Sequence, residues 1–346
     1  MTANGGAIDE MLERFAATGP EFNGGLANHG PMAAEALLAM GRADAVGGWA
    51  EWYATRLAEH PRAMDRIDPE EWRESLGDVR RAGDWIAFFD REVRARPWGD
   101  AVELWVARLG PGIMAAATHG ILRTAHAVRS LDRGENEARL HELAEGLGYW
   151  AARYQTLPGE ASGATAQADV KLALRHVARI DASQRKGGLI FDVVRVLDEG
   201  FAPIINYVDV DREFDAFVGD LTRTFVRQYL ANAQHAAIGF VHTVTAPSAA
   251  RILAPHLSAD TRRAVMRYAW QSCAAIYAAY GRVDPDAMPA DPAPAEFDEA
   301  YLVDRAVAAR DEHAIKFTEA CLREYRLSGD GAFIAAARDV TARLHR

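Results

Sequence analysis

Asn28-His29-Gly30-Pro31-Met32-Ala33-Ala34-Glu35-Ala36-Leu37-Leu38-Ala39-Met40-Gly41 is the stretch on which the reading of the fold turns. Proline is preset for the first turn of a helix, where its missing N–H removes no bond. Met32 to Met40 then supplies apolar residues at helical spacing, and Gly41 suits the position that closes a helix. The same pattern recurs over about residues 43–59, 69–77, 83–95, 99–108, 111–131, 135–156, 168–180, 212–245, 248–256, 258–280, 297–327 and 330–344. Strand signals are few. The run from Gly188 to Leu197 fits either a strand or a helix, because Leu189, Val193, Val196 and Leu197 also form a helical stripe; Ile204 to Val210 is similarly ambiguous. The expectation is an all-α protein, one large multi-helix body over residues 1–346. Soft boundaries are expected at 156–167, which carries Pro158, Gly159, Ser162 and Gly163, and at 283–294, which holds Pro285, Pro289, Pro292 and Pro294.

Composition narrows the function classes. A chain of 346 residues with 49% hydrophobic and 25% charged content reads as an ordinary globular protein able to bury a large core. Its net charge of -10 argues against nucleic acid as a partner, which needs a basic face. No apolar run approaches the roughly 20 residues that span a bilayer, so no membrane association is expected. The first residues carry Asp9, Glu10 and Glu13 and no apolar segment, so they are not read as a secretion signal and a cytoplasmic setting is expected. Cys273 and Cys321 are far apart, in helix-like segments, and offer neither a disulfide framework nor a Cys-x-x-Cys motif.

Only three of the 39 basic residues are lysines, and Lys316 lies three positions after His313 in Asp311-Glu-His-Ala-Ile-Lys-Phe-Thr-Glu-Ala-Cys321. Residues three apart are neighbours on a helix face. A buried lysine can lose its proton and react as an amine, which an arginine cannot. The bland reading is a surface lysine near Glu312 and Glu319. The chemical one is a lysine that has taken up carbon dioxide as a carbamate, an oxygen ligand for a divalent metal.

His29, His119, His126, His235 and His242 also sit among small or apolar residues. His119 and His126 are seven apart, as are His235 and His242; each pair shares a helix face but is separated by roughly 10 Å along the axis. One ligand per helix is therefore expected, with the partner one step out. The competing reading is a set of hydrogen-bonded core histidines. Trp49, Trp52, Tyr53, Trp85, Phe88, Phe89, Trp98, Trp105, Tyr149 and Trp150 are expected mainly in the core, a subset being available to stack on a flat ligand.

Several sites are excluded. No histidine has a glutamate three residues before it, so the Glu-x-x-His pairs of di-iron bundles are absent. There is no His-Glu-x-x-His motif, no P-loop and no Gly-x-Ser-x-Gly elbow. Gly146-Leu-Gly148-Tyr-Trp-Ala151 matches a dinucleotide fingerprint only by letters, since it lies in a helix pattern with no preceding strand.

The opening stretch, His119-Gly-Ile-Leu-Arg123-Thr-Ala-His126-Ala-Val, Phe240-Val-His242-Thr-Val-Thr245-Ala-Pro-Ser-Ala-Ala-Arg251 and Asp311-Glu-His313-Ala-Ile-Lys316 together resemble motifs of the questin oxidase-like family, in order and over most of the chain. The resemblance implies an all-helical oxygenase acting on aromatic polyketides such as anthraquinones, by oxidative ring opening, Baeyer–Villiger-type oxygen insertion or dioxygenation. It implies an interior mononuclear non-haem Fe(II) held by His29, His119, His242 and His313, with carboxylated Lys316 as a further ligand. This departs from the usual two-His-one-carboxylate set. His126 and His235 fall one step outside the metal. Molecular oxygen is the implied co-substrate, and NADPH would enter only through a separate reductase. The partners implied are a small aromatic substrate and, at most, a second copy of the chain. The alternatives are a hydrolase or lyase using the same ligands with zinc or manganese, and a helical binding protein without catalysis.

Overall fold

The computed structural model describes residues 3–162, 169–184, 188–288 and 297–345. It is 70% helical, with fourteen α-helices and one two-stranded hairpin among the described residues, which makes the chain all-α. Residues 163–167 of the first expected loop, residue 168 of one expected helix, and residues 289–294 of the second loop lie outside the described residues. Two compact units make up the chain: residues 1–156 with 252–258, and residues 157–251 with 259–346. Among the described residues no helix is long and apolar enough to cross a membrane.

In the first unit α1 (Ala3–Phe15) leads into a hairpin of β1 (Glu21–Phe22) and β2 (Leu26–Ala27), paired antiparallel with Glu21 opposite Ala27. The sequence reading missed both, although Asn23-Gly24-Gly25 is a turn signal. All three residues have positive φ. There follow α2 (Gly30–Ala39), α3 (Ala43–Ala54), α4 (Ala82–Arg94), α5 (Trp98–Leu109), α6 (His119–Asp132) and α7 (Glu137–Ala152). α2 ends as expected, with Gly41 at φ +79°. α3 stops well short of residue 59, and the expected helix at 69–77 is only a tight turn at Trp72–Ser75.

The centre of this unit is α7, which is buried on nearly every side from Leu140 to Ala152 and packs against both α4 and α6. Close approach explains its two glycines. A Cβ on Gly146 would stand 2.9 Å from the Thr124 backbone nitrogen of α6, and one on Gly148 would stand 3.0 Å from that of Ile86 in α4. The apparent nucleotide fingerprint is thus helix packing. The aromatic residues behave as core: Trp85, Phe88, Phe89 and Trp105 are fully buried and meet one another at ring separations of 4.8–5.7 Å.

The second unit contains α8 (Val170–Leu174), α9 (Ile190–Val193), α10 (Phe214–Leu253, whose last two residues fall in the first unit), α11 (Ala259–Tyr280), α12 (Glu299–Ala309), α13 (Glu312–Ser328) and α14 (Gly331–Arg343). The ambiguous run at 188–197 holds one α-helical turn, Ile190–Val193, followed by a 3-10 turn at Val194–Val196, and that at 204–210 begins in a 3-10 turn. The break expected between the helices at 212–245 and 248–256, where Pro247 stands, does not occur. Proline removes the N–H that would bond the Thr243 carbonyl one turn earlier, and the Cys273 thiol of α11 donates to that carbonyl at 3.3 Å instead. The irregular residue lies earlier, at Ala236 (φ -147°, ψ 36°). Conversely, the single helix expected over 297–327 is broken. Arg310 turns left-handed at φ +55° and Asp311 caps α13, its Oδ1 accepting the backbone N–H of His313 at 2.9 Å and of Ala314 at 3.2 Å.

Replacing Gly146 by Ala should lower the unfolding free energy by about 1–3 kcal/mol, because overpacking against the α6 backbone outweighs alanine's better helix propensity. Urea denaturation of the variant checks this, and unchanged or raised stability would show that the two helices have room to separate.

Candidate functional site

His29 is fixed from three sides in the first unit. The Asn28 side chain accepts from the Gly30 N–H at 2.9 Å and donates to Thr18 Oγ1 and the Gly19 carbonyl, both at 3.0 Å. The His29 backbone N–H donates to Tyr53 Oη at 3.0 Å. The hairpin and α2 therefore deliver this imidazole at the N-cap of a helix, where it is buried.

His119 meets it, the two rings standing 4.5 Å apart and tilted by 40°. The helix expected over 111–131 begins only at His119. Ala116, Ala117 and Thr118 are all left-handed, at φ +48°, +57° and +72°. Each such residue costs about 1–2 kcal/mol for want of a glycine, and strain of this kind gathers where a side chain must be aimed. The turn brings the Ala116 carbonyl onto His119 Nδ1. A carbonyl only accepts, so Nδ1 carries the proton and a neutral ring keeps its lone pair on Nε2. That is the tautomer a metal ligand uses.

His126, one turn and more along α6, is buried in a different set. Its Nδ1 lies 2.7 Å from Glu35 Oε2, and Glu35 also pairs with Arg129 and with Arg133, the latter at 3.0 Å. Burial alone would raise the Glu35 carboxyl, but Arg129 and His126 outweigh it and hold the group well below the usual carboxylate range.

In the second unit His242 on α10 and His313 in the first turn of α13 meet edge to face, with ring centroids 5.8 Å apart and planes at 85°. His242 is fully buried. His313 Nδ1 lies 3.5 Å from the Asp311 carboxylate. Lys316, one turn further on, is also buried. Burial drives its pKa down to about 7, against the opposing charges of Glu312 and Asp311. An amine in that range is substantially neutral near neutral pH, as reaction with carbon dioxide requires. His235 is exposed, just before the irregular Ala236, with Nε2 3.4 Å from the Tyr280 carbonyl oxygen.

The structure thus brings His29 to His119, and His242 to His313 with Lys316 one turn away. All five lie within the segment that matches a known family: the family model described as questin oxidase-like covers residues 27–321. The chain belongs to the questin oxidase-like family. Membership points to an oxidase or oxygenase as the class of activity, with anthraquinone-type substrates. No curated protein matches this questin oxidase-like chain.

The lysine makes a pH signature in the metal-free, carbon dioxide-free protein. Lys316 releases its proton near pH 7 when folded and near the ordinary 10.5 when unfolded. Between those values the unfolded chain binds more protons, so stability rises with pH, and the cost of burial is fully present below the window. Lys316→Met should be more stable than wild type by about 1–4 kcal/mol under mildly acidic conditions. Its advantage should shrink as pH climbs through the window in denaturant titrations. A gap independent of pH would mean that the ammonium is not desolvated.

Proposed function

We propose that this questin oxidase-like protein is a non-haem iron-dependent oxygenase of polycyclic aromatic polyketides of anthraquinone type. It catalyses oxidative ring opening or Baeyer–Villiger-type oxygen insertion. The ligand set proposed for Fe(II) is His29, His119, His242, His313 and carboxylated Lys316. The observation that carries this reading is the buried Lys316 amine one helical turn after His313, whose ring packs against that of His242, in a chain that otherwise relies on arginine. A buried lysine is costly unless its charge is paired or its proton lost, and groups perturbed in this way cluster at functional sites.

The donor set suits iron: neutral imidazoles and one oxygen anion are ligands for a borderline divalent ion. Bound Fe(II) supplies the one-electron chemistry that makes molecular oxygen reactive toward an electron-rich ring. The protein's own part is to hold the donors in register. Ala116 fixes the His119 tautomer, and Asp311 anchors the first turn that carries His313. At Lys316 the neutral nitrogen attacks carbon dioxide, an N–C bond forms and a proton leaves to solvent. The resulting anion is stable only beside a cation. Electrons beyond those of the metal come from the substrate, or from NADPH through a separate reductase.

Anaerobic loading with Fe(II) should give about one iron per chain, as expected for a single site. The loaded protein should consume oxygen with an anthraquinone such as questin. His119→Ala and His313→Ala should each reduce iron to background, and Lys316→Met should lower oxygen uptake at least about 100-fold, the scale of losing one ligand or its support. Bicarbonate should raise the activity of the wild type but not of the variant. Absence of retained iron after loading would sink the proposal, and retained metal with no oxygen uptake on aromatic substrates would favour hydrolysis.

A further inference from the structure

Away from these residues, the first unit holds another convergence of imidazole and carboxylate. Glu145 on α7 is wholly buried. Its Oε1 lies 2.7 Å from His60 Nε2 and 3.6 Å from His141 Nε2, and the three atoms all lie within 4.8 Å of one another. His141 stands one helical turn before Glu145. His60 comes from the chain beyond α3, where its backbone N–H donates to the Ala17 carbonyl at 3.2 Å.

We propose that His60, His141 and Glu145 bind a divalent transition-metal ion, independently of the ligands proposed for iron, with water completing its coordination. Three observations carry this. The first concerns the far side of His141, whose Nδ1 lies 3.0 Å from Asp90 Oδ1 on α4. A carboxylate only accepts, so Nδ1 carries the proton, and a neutral ring turns its Nε2 lone pair toward Glu145 Oε1. Two acceptors facing each other need a positive particle between them. In metal-free protein a shared proton serves. A metal ion displaces that proton. The carboxylate behind a ligating imidazole is the usual support of such a ligand.

The second observation is how Glu145 is oriented. Arg123 takes Glu142 in a two-pronged pair at 2.7 and 2.8 Å and reaches only Glu145 Oε2, at 3.3 Å. Oε1 is left to the two histidines. The third is size and access. Ligands of a four-coordinate ion with bonds near 2 Å stand about 3.4 Å apart, so the two contacts to Oε1 need to shift by well under about 1 Å. The His60 and His141 side chains are each about a quarter exposed, 27% and 26%, which lets water reach the remaining position.

Calorimetric titration of Zn(II) into the full-length protein at neutral pH provides the test. Wild type should bind one equivalent more than His60→Ala or His141→Ala, and Lys316→Met should keep that equivalent, which separates this site from the proposed iron centre. Asp90→Asn leaves all three ligands in place, so it remains informative if an alanine variant does not fold. It should retain the stoichiometry with affinity lowered about 10–100-fold. Equal stoichiometry in wild type and both alanine variants would overturn the proposal, as would unchanged zinc affinity in Asp90→Asn.

Discussion

A charge withdrawn from water must meet an opposite charge, find donors, or give up its proton. This constraint shapes the interior of both units. Glu35 meets it through arginines and His126, and Arg123 meets it through Glu142 and Glu145. Glu324 receives Thr222, Ser248 and Arg251. Lys316 is different in kind. Its acidic neighbours only oppose the effect of burial and do not cancel it, so the lysine tends to become an amine. At Lys316 burial outweighs charge, whereas at Glu35 charge outweighs burial.

Three of the imidazoles occupy interruptions of regular helix, while His242 lies within a helix. His29 caps α2, His119 opens α6 behind three left-handed residues, and His313 follows the left-handed Arg310. His242 lies on α10 between the irregular Ala236 and Pro247. At a helix start the backbone N–H groups have no intrahelical partner and the side chain is aimed by whatever cap is present. Caps and turns, rather than helix register, are therefore what aim His29, His119 and His313, whereas His242 is aimed by its register in α10. The seven-residue spacing within α6 separates His119, which faces His29, from His126, which is committed to Glu35.

Helical periodicity made the class of fold legible, and lysine scarcity made Lys316 stand out. The details that escaped were those decided by competition between neighbours in space. Pro247 reads as a terminator, yet a thiol thirty residues on satisfies the carbonyl it orphans, so the helix continues. Arg310 has no sequence mark of a helix end; Asp311 does, as a capping residue, and was absorbed into an uninterrupted pattern. The alanines before His119 read as helix because alanine favours helix, and nothing local announces their left-handed turn. The grouping of His60, Asp90, His141 and Glu145 draws on three separate segments; only the four-residue step from His141 to Glu145 was visible in the chain.

The thiol that bridges the gap in α10 has a further consequence. Cys273 and Cys321 are both buried in the second unit, and burial pushes both thiols well above their ordinary pKa. Thiolate is the species that alkylates, so neither cysteine reacts while its surroundings stay closed. The rate at which the chain takes up an alkylating reagent is then a clock for transient opening of that unit, legible without any introduced label.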